Sequence, residues 1–199
     1  MRGILNVKKA FFPTDNRLGF PDLDPVTDIV QDVIWYTWDI RSKCAVYGDA
    51  GICFYCDDFK FESIWNNPEK YVDLLRSFRY VVQPDFSLFY DMPQALQIFN
   101  KFRSHWVASV LSIHGVHCIP NVNPSTSDCW DWSFDGFPHH SVVAFSDIGS
   151  FQSRSDRRVL LSGYEEMLKR LDPLQILWFT RNPDNVPLEC TPVVLAFRR

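Results

Sequence analysis

From Gly51 onward, short solid apolar runs alternate with stretches whose apolar positions recur at helical spacing. The runs Gly51–Cys56, Tyr80–Gln83, Val116–Pro120, Ser141–Ser146, Gln175–Thr180 and Pro192–Phe197 predict strands. Asn67-Pro68 reads as N-cap and first residue of a helix to about Phe78, with Tyr71, Val72, Leu75 and Phe78 on one face. Asp91 is placed to cap a long helix reaching about His114, with Pro93 in its first turn and Gly115 ending it. Phe99, Phe102, Trp106, Val110 and Ile113 form its apolar stripe. Ser162–Leu171 predicts a further helix, carrying Glu165–Lys169 and Glu166–Arg170 one turn apart.

Strands that read as continuous apolar runs between helices imply a mainly parallel sheet covered on both faces. The fold expected is α/β, as an open sheet or an abbreviated barrel, because a complete eight-unit barrel needs at least about 200 residues. Residues 1–44 are rich in Pro and Asp and predict an irregular N-terminal wrap, with one strand or short helix around Val26–Trp38. The expectation is one domain over 1–199, with its α/β core in 45–199.

Composition narrows the class. Of the 199 residues, 46% are hydrophobic and 22% charged, a globular balance rather than a disordered one. With a net charge of −4 the totals show no strongly basic face for indiscriminate nucleic-acid binding and leave a local basic patch open. Met1–Phe12 lacks a signal-peptide run, and no stretch approaches the ~20 apolar residues of a membrane span. We therefore expect no membrane partner, a place in the cytoplasm of a bacterial host, and reduced thiols at Cys44, Cys53, Cys56, Cys118, Cys129 and Cys190.

Parallel sheets place ligands at the carboxyl ends of their strands. The groups following the predicted strands are Asp57-Asp58, then Asp85 and Ser87, then Asn121 and Asn123, then Ser146 and Asp147, then Thr180-Arg181. Loops are polar in any case, so any one of these can be mere loop chemistry. Asp57, Asp58 and Asp85 carry the stronger argument. Facing carboxylates repel and need a cation, a shared proton or a basic partner, which suits a divalent metal such as Mg²⁺ on Asp58 and Asp85, or acid–base work.

The run Phe54-Tyr55-Cys56-Asp57-Asp58-Phe59-Lys60-Phe61-Glu62, with Trp65-Asn66-Asn67-Pro68, Pro84-Asp85-Phe86-Ser87-Leu88 and Asn100-Lys101-Phe102-Arg103-Ser104-His105-Trp106, resembles one bacterial family. It is the domain-of-unknown-function family 4417, associated with phages and mobile elements. Gly115–Pro120, Gly149, Gly163 and Leu171-Asp172-Pro173 extend the resemblance, which covers about Gly19 to Thr180. It implies a phage, prophage or plasmid origin and brings no activity with it. It marks Asp57, Asp58, Asp85, Ser87, Asn100 and Arg103 as the family's polar pattern. The chain departs from that pattern at Cys56, where the family tends to an aliphatic residue, and at Phe179-Thr180-Arg181, which replaces a tyrosine-glycine ending.

The remaining constellations have plain structural readings beside functional ones. Cys53 and Cys56 with His117-Cys118 suggest zinc, but residues i and i+3 of a strand face opposite ways, and buried thiols are the better reading. Asn100 and Arg103 suit a phosphate clamp, yet Arg103 lies roughly 15 Å from the helix start, which favours a structural ion pair. Trp130 and Trp132, near Asp128, Asp131 and Asp135, can stack a ligand ring or close over the sheet end as a lid. His139-His140 reads as surface. Arg154, Arg157 and Arg158 read as a solvated charge run rather than a phosphate grip. A P-loop, a GxGxxG fingerprint and a serine-nucleophile elbow are missing.

The leading expectation is a mobile-element enzyme acting on a nucleotide or nucleic-acid phosphodiester. Asp57, Asp58, Asp85 and Ser87 are its catalytic candidates, and Asn100, Arg103, Asn121, Trp130 and Trp132 its substrate-binding ones. The rival is a non-enzymatic protein that binds a host factor. A third reading is glycoside hydrolysis by paired carboxylates beside Trp platforms.

Overall fold

The computed structural model describes residues 12–149 and 154–195. Its first sheet holds β1 (Ile34–Thr37), β2 (Ala50–Cys53), β3 (Tyr80–Val82) and β4 (Cys118–Ile119), in that order and all parallel. Its second holds β5 (Val142–Ser146), β6 (Gln175–Thr180) and β7 (Thr191–Val194), again in order and parallel. The two sheets touch where the chain leaves β4. Asn121 bridges Ala144, Val122 N donates to Ala144 O at 2.9 Å, and Ala144 N donates to Pro120 O at 2.8 Å. Strand order thus follows chain order from β1 to β7, the α/β arrangement expected. Among the described residues β7 does not pair with β1, so the barrel is not closed.

Strand alternation sorts side chains into layers. Ile52, Phe54 and Val81 point outward into a core shared with α1 (Glu62–Asn66), α2 (Val72–Arg76) and α3 (Gln94–Ile113). Val143, Phe145, Ile176 and Trp178 point outward towards α5 (Arg154–Leu171). Trp35, Cys53, Tyr55, Val82, Ile119, Ala144, Leu177, Phe179 and Val193 fill a single inner cluster. Trp35 meets Phe179 edge-on at 5.0 Å, so side chains of the first and sixth strands touch across a curled sheet. Each such fully buried side chain contributes about 1.5–3 kcal/mol. Gly51, paired with Trp35 in register, leaves room for the indole: a Cβ there would lie 2.4 Å from Trp35 Cε3.

Several boundaries differ from expectation. The strand near Val26–Trp38 is β1, an integral sheet member, so the sheet begins inside the segment read as irregular. The helix expected from Asn67 is split into a 3-10 turn, Pro68–Tyr71, and α2, and the Asn67 side chain makes no capping bond. α3 starts at Gln94, after Pro93, and not under a cap from Asp91. A residue preceding Pro is pushed out of the helical region, so Met92 ends any earlier helix. Gln97 Nε2 holds that turn by donating to Met92 O at 2.8 Å. α5 begins at Arg154, earlier than Ser162; the predicted strand end at Phe197 lies outside the described residues. Among the described residues no helix is long and apolar enough to cross a membrane.

Candidate functional site

The loops after β3 and β4 are stitched together at the carboxyl end of the first sheet. Gln83 N donates to Ile119 O at 2.9 Å, and Gln83 Oε1 accepts from Asn121 N at 2.9 Å. Gln83 Nε2 is buried without a partner. The Asn121 side chain, fixed by this register, accepts from Tyr55 Oη at 2.7 Å through Oδ1 and donates to Asp85 Oδ1 at 2.7 Å through Nδ2. The Asn123 side chain bonds the Asp85 carboxyl as well. Burial, and to a lesser degree the negative Asp58, raise Asp85 from the ordinary carboxylate value to about 6, against the opposing pull of its two amide partners. The carboxyl group is enclosed, although the residue as a whole keeps partial contact with solvent.

Across from Asp85 stands one face of α3. Lys101, Ser104 and His105 join Gln83, Asp85, Asn121, Asn123 and Phe137 around a cavity of about 20 Å³, room for about one water molecule. Lys101 Nζ lies 3.0 Å from His105 Nε2 and donates to Ser133 O at 3.0 Å. Burial pushes both Lys101 and His105 well below their ordinary pKa values. Ser104 is committed to the Pro84 carbonyl.

The other predicted residues divide clearly. Asp57 is exposed and pairs with Lys60 at 3.0 Å, away from the cavity. Asp58 accepts from Ser87 Oγ at 2.8 Å and Ser87 N at 3.2 Å, tying the loop after β2 to the loop after β3. Asn100 donates to Ser87 O at 2.7 Å and accepts from Arg103 Nη2 at 2.7 Å. Arg103 grips both Glu62 oxygens at 2.9 and 3.0 Å and lies over Phe86 at 4.0 Å, so it is a buttress and not a phosphate clamp. Trp132 is buried in a small cluster with Phe20 and Cys129, and Trp130 packs half-buried against the second-sheet core. The platform reading is corrected for Trp132, because a buried ring presents no face to a ligand. Of the predicted set, Asp85 and Asn121 line the cavity, while Asp58 and Ser87 stand just behind it.

The second sheet ends differently. Asp147 is buried and accepts from Trp178 Nε1 at 3.1 Å and Thr180 Oγ1 at 2.7 Å; burial raises its pKa. Cys53 faces the inner cluster and Cys56 packs against the outer one, while Cys118 belongs to the outer core, so alternation separates the thiols as expected. All six cysteines are free. His140 is exposed, 3.3 Å from Asp172, and Arg157 and Arg158 are exposed on α5; the Arg154 side chain lies outside the described residues. Among the described residues no three His, Cys, Asp or Glu side chains come together to hold an ion. Asp58 and Asp85 fit a divalent cation poorly: Asp58 is occupied by Ser87, Asp85 by two amides, and among the described residues no third acid joins them.

Sequence reasoning missed Gln83, Lys101 and His105. The usable signal was Lys101 and His105 at i,i+4 within a helix of high aromatic content, where polar groups on a buried face need a partner. A wider cleft of about 150 Å³ lies elsewhere, lined by Asp22, Asp24, Ser109, Ser112 and His117, near the start of β4. It contains none of the strand-end groups, so it is not the candidate site.

The chain is 30% identical to the Gene 1 protein of Mycobacterium phage D29 over 178 residues, covering 89% of this chain and 66% of that protein. It is 34% identical to the Gene 1 protein of Mycobacterium phage L5 over 176 residues, covering 87% of this chain and 76% of that one. No solved structure matches. With the family described as Domain of unknown function (DUF4417) matching residues 12–198, a span that holds every strand and the whole Asp85 cavity, the chain belongs to that family and is similar to phage proteins.

Proposed function

We propose that this protein is an enzyme acting on a nucleotide or nucleic-acid phosphodiester in the cytoplasm of a bacterial host, with Asp85 as its proton-transfer group. The observation that carries the reading is Asp85 itself: an enclosed carboxyl raised to about 6, oriented by Asn121 and Asn123 at the carboxyl ends of parallel strands. Near neutrality such a group exchanges a proton readily in either direction, which is what general acid–base catalysis asks of it. The unpartnered Gln83 Nε2 supplies a donor for a substrate oxygen in the same cavity. The mechanism uses no metal, in keeping with the poor fit of the Asp58–Asp85 pair. The glycosidase alternative needs an aromatic platform, and of its two rings Trp132 is buried and Trp130 half-buried.

The test is turnover of bis-p-nitrophenyl phosphate and of short oligonucleotides between pH 5 and 8. The rate should bend near pH 6, fall strongly in Asp85→Asn and survive in Asp57→Asn. Equal turnover by parent and Asp85→Asn would remove the assignment.

One observation favours binding to a host factor as the second reading. Phe59, Phe89 and Tyr90 are exposed on the two loops that Asp58 and Ser87 tie together. Exposed aromatic clusters mark interaction sites. If Phe89→Ser and Tyr90→Ser abolish capture of a host protein while no phosphodiester is turned over, the binding role takes precedence.

A further inference from the structure

The wider cleft near the start of β4 shares no lining residue with the Asp85 cavity, and chemistry at Asp85 makes no use of it. It is a groove between residues 21–24 and the C-terminal half of α3. Pro21 O lies 3.0 Å from His105 Nδ1, and Asp24 accepts from the Ser112 hydroxyl. Leu23 N donates at 2.9 Å to Gly136 O, in the turn after α4 (Trp130–Ser133). These bonds hold the segment in place, and the space beside it is about 150 Å³.

Two independent features of this cleft call for a ligand. The first is charge. Asp22 and Asp24 border the cleft and are exposed. Each has one oxygen engaged, Asp22 Oδ1 by Thr14 Oγ1 at 3.2 Å and Asp24 Oδ2 by Ser112. Among the described residues no Lys or Arg pairs with either. The last turn of α3 also carries no basic residue, so the negative end of its dipole adds to the two carboxylates. The second feature is Ser109. It lines the cleft, is 7% exposed, and its hydroxyl has no hydrogen-bond partner. Buried polar groups are normally satisfied, and an occupant of the cleft would satisfy this one.

Ser112 and His117 also line the cleft, with His117 Nδ1 3.5 Å from Ser112 Oγ. A serine nucleophile would need to give its proton to the histidine. Ser112 gives it to Asp24 instead, so the pair fixes the orientation of that carboxylate and does no acyl chemistry.

We propose that the cleft binds an organic cation, an ammonium on a short aliphatic stem, supplied by a free diamine or by a lysine side chain of a peptide. An ammonium has three donors and no acceptor. Its acceptors here are the Ser109 hydroxyl and the unengaged oxygens of Asp22 and Asp24. The stem lies on Leu23, Ala108 and Ile113, as aliphatic stems of cations lie on apolar surface. Space of about 150 Å³ holds roughly six non-hydrogen atoms, the size of diaminobutane. A bare divalent ion fits worse, because it needs several oxygen ligands and among the described residues no three ligating side chains gather. The site stands whether or not Asp85 turns over a phosphodiester.

The full chain is titrated at pH 7 with diaminobutane, butylamine, butanol and acetyl-lysine methylamide, and backbone amide shifts are followed by NMR. The two simple amines should shift the Asp24, Ser109 and Ser112 amides saturably. Butanol, of similar size without the charge, should bind at least about tenfold more weakly. Asp24→Asn keeps an acceptor for Ser112, removes the charge, and should weaken amine binding about tenfold. Ser109→Ala should weaken binding while the thermal midpoint stays level or rises, because it deletes a hydroxyl that the fold itself leaves unpartnered. Saturable binding of the blocked lysine supports the site as a reader of peptide side chains; binding of the free amines alone supports it as a small-amine site. Equal binding of butylamine and butanol, equal displacement by magnesium chloride, or no saturable shift with any amine overturns the proposal. If Asp24→Asn does not fold, Ser109→Ala and the butanol comparison in the parent decide.

Discussion

Replacing Asp85 by Asn separates a working acid from a structural one through the pH dependence of stability. The Asp85 carboxyl stands at about 6 in the folded protein against 3.8 for the free group. A folded pKa raised in this way means that the native state holds the proton more tightly than the unfolded state does. The associated stability is fully present below about pH 4 and lost as pH rises through about 6. A shift of about two units corresponds to about 3 kcal/mol at about 1.4 kcal/mol per unit. Asp85 keeps partial solvent contact, so about 1–3 kcal/mol is the expected range once screening is allowed for. Asn cannot ionise, still accepts the 2.7 Å bond from Asn121, and escapes this penalty. Urea denaturation of parent and variant at half-unit steps from pH 4 to 8.5 measures the effect. The variant should be level with, or slightly below, the parent at pH 4, gain on it up to a little above pH 6, and hold that gain level from there to pH 8.5. Packing changes contribute a constant offset, so the slope is the readout. A difference that is flat across this range, or that moves against the variant as pH rises, would refute the argument that burial controls this carboxyl.

The other expectations concern the surroundings of the cavity. Asp58→Ala removes the acceptor of both Ser87 bonds and should cost about 0.5–2 kcal/mol, the range of a lost cap, while moving Asp85 back towards its ordinary pKa; an unchanged denaturation midpoint would show that the loops do not depend on this tie. Gly51→Ala drives a methyl against Trp35 and should destabilise by about 1–3 kcal/mol, with altered tryptophan fluorescence as the second sign. Of the six thiols, the native protein should expose at most Cys44 and Cys56 to a thiol reagent, and Cys56 slowly, since burial lifts its pKa to about 12. All six should react after unfolding, and rapid native reaction of Cys53 or Cys118 would contradict the packing.

The apolar runs by themselves determined the fold class. GICFYC, Tyr80–Gln83 and Gln175–Thr180 have no polar face, and only a sheet covered on both sides accommodates such strands, so parallel α/β architecture followed from local pattern. The position of Asp85 at a strand end was legible for the same reason, and so was the alternation that separates Cys53 from Cys56. What each polar group then does was not legible, because hydrogen-bond partners come from distant segments. Asp57 and Asp58 are neighbours in sequence, yet one is spent on Lys60 at the surface and the other on Ser87, 29 residues away. The distance of Arg103 from the helix start favoured a structural ion pair, but its partner Glu62, 41 residues away, and the bond from Asn100 to Ser87 came only with the packing. Tertiary structure alone placed Gln83, Lys101 and His105 around Asp85, since a helix face acquires meaning only from what it is packed against. Burial there comes from the curl of the sheet and the docking of α3, and burial, more than any neighbouring charge, turns an ordinary Asp and an ordinary Lys into groups with shifted proton affinities.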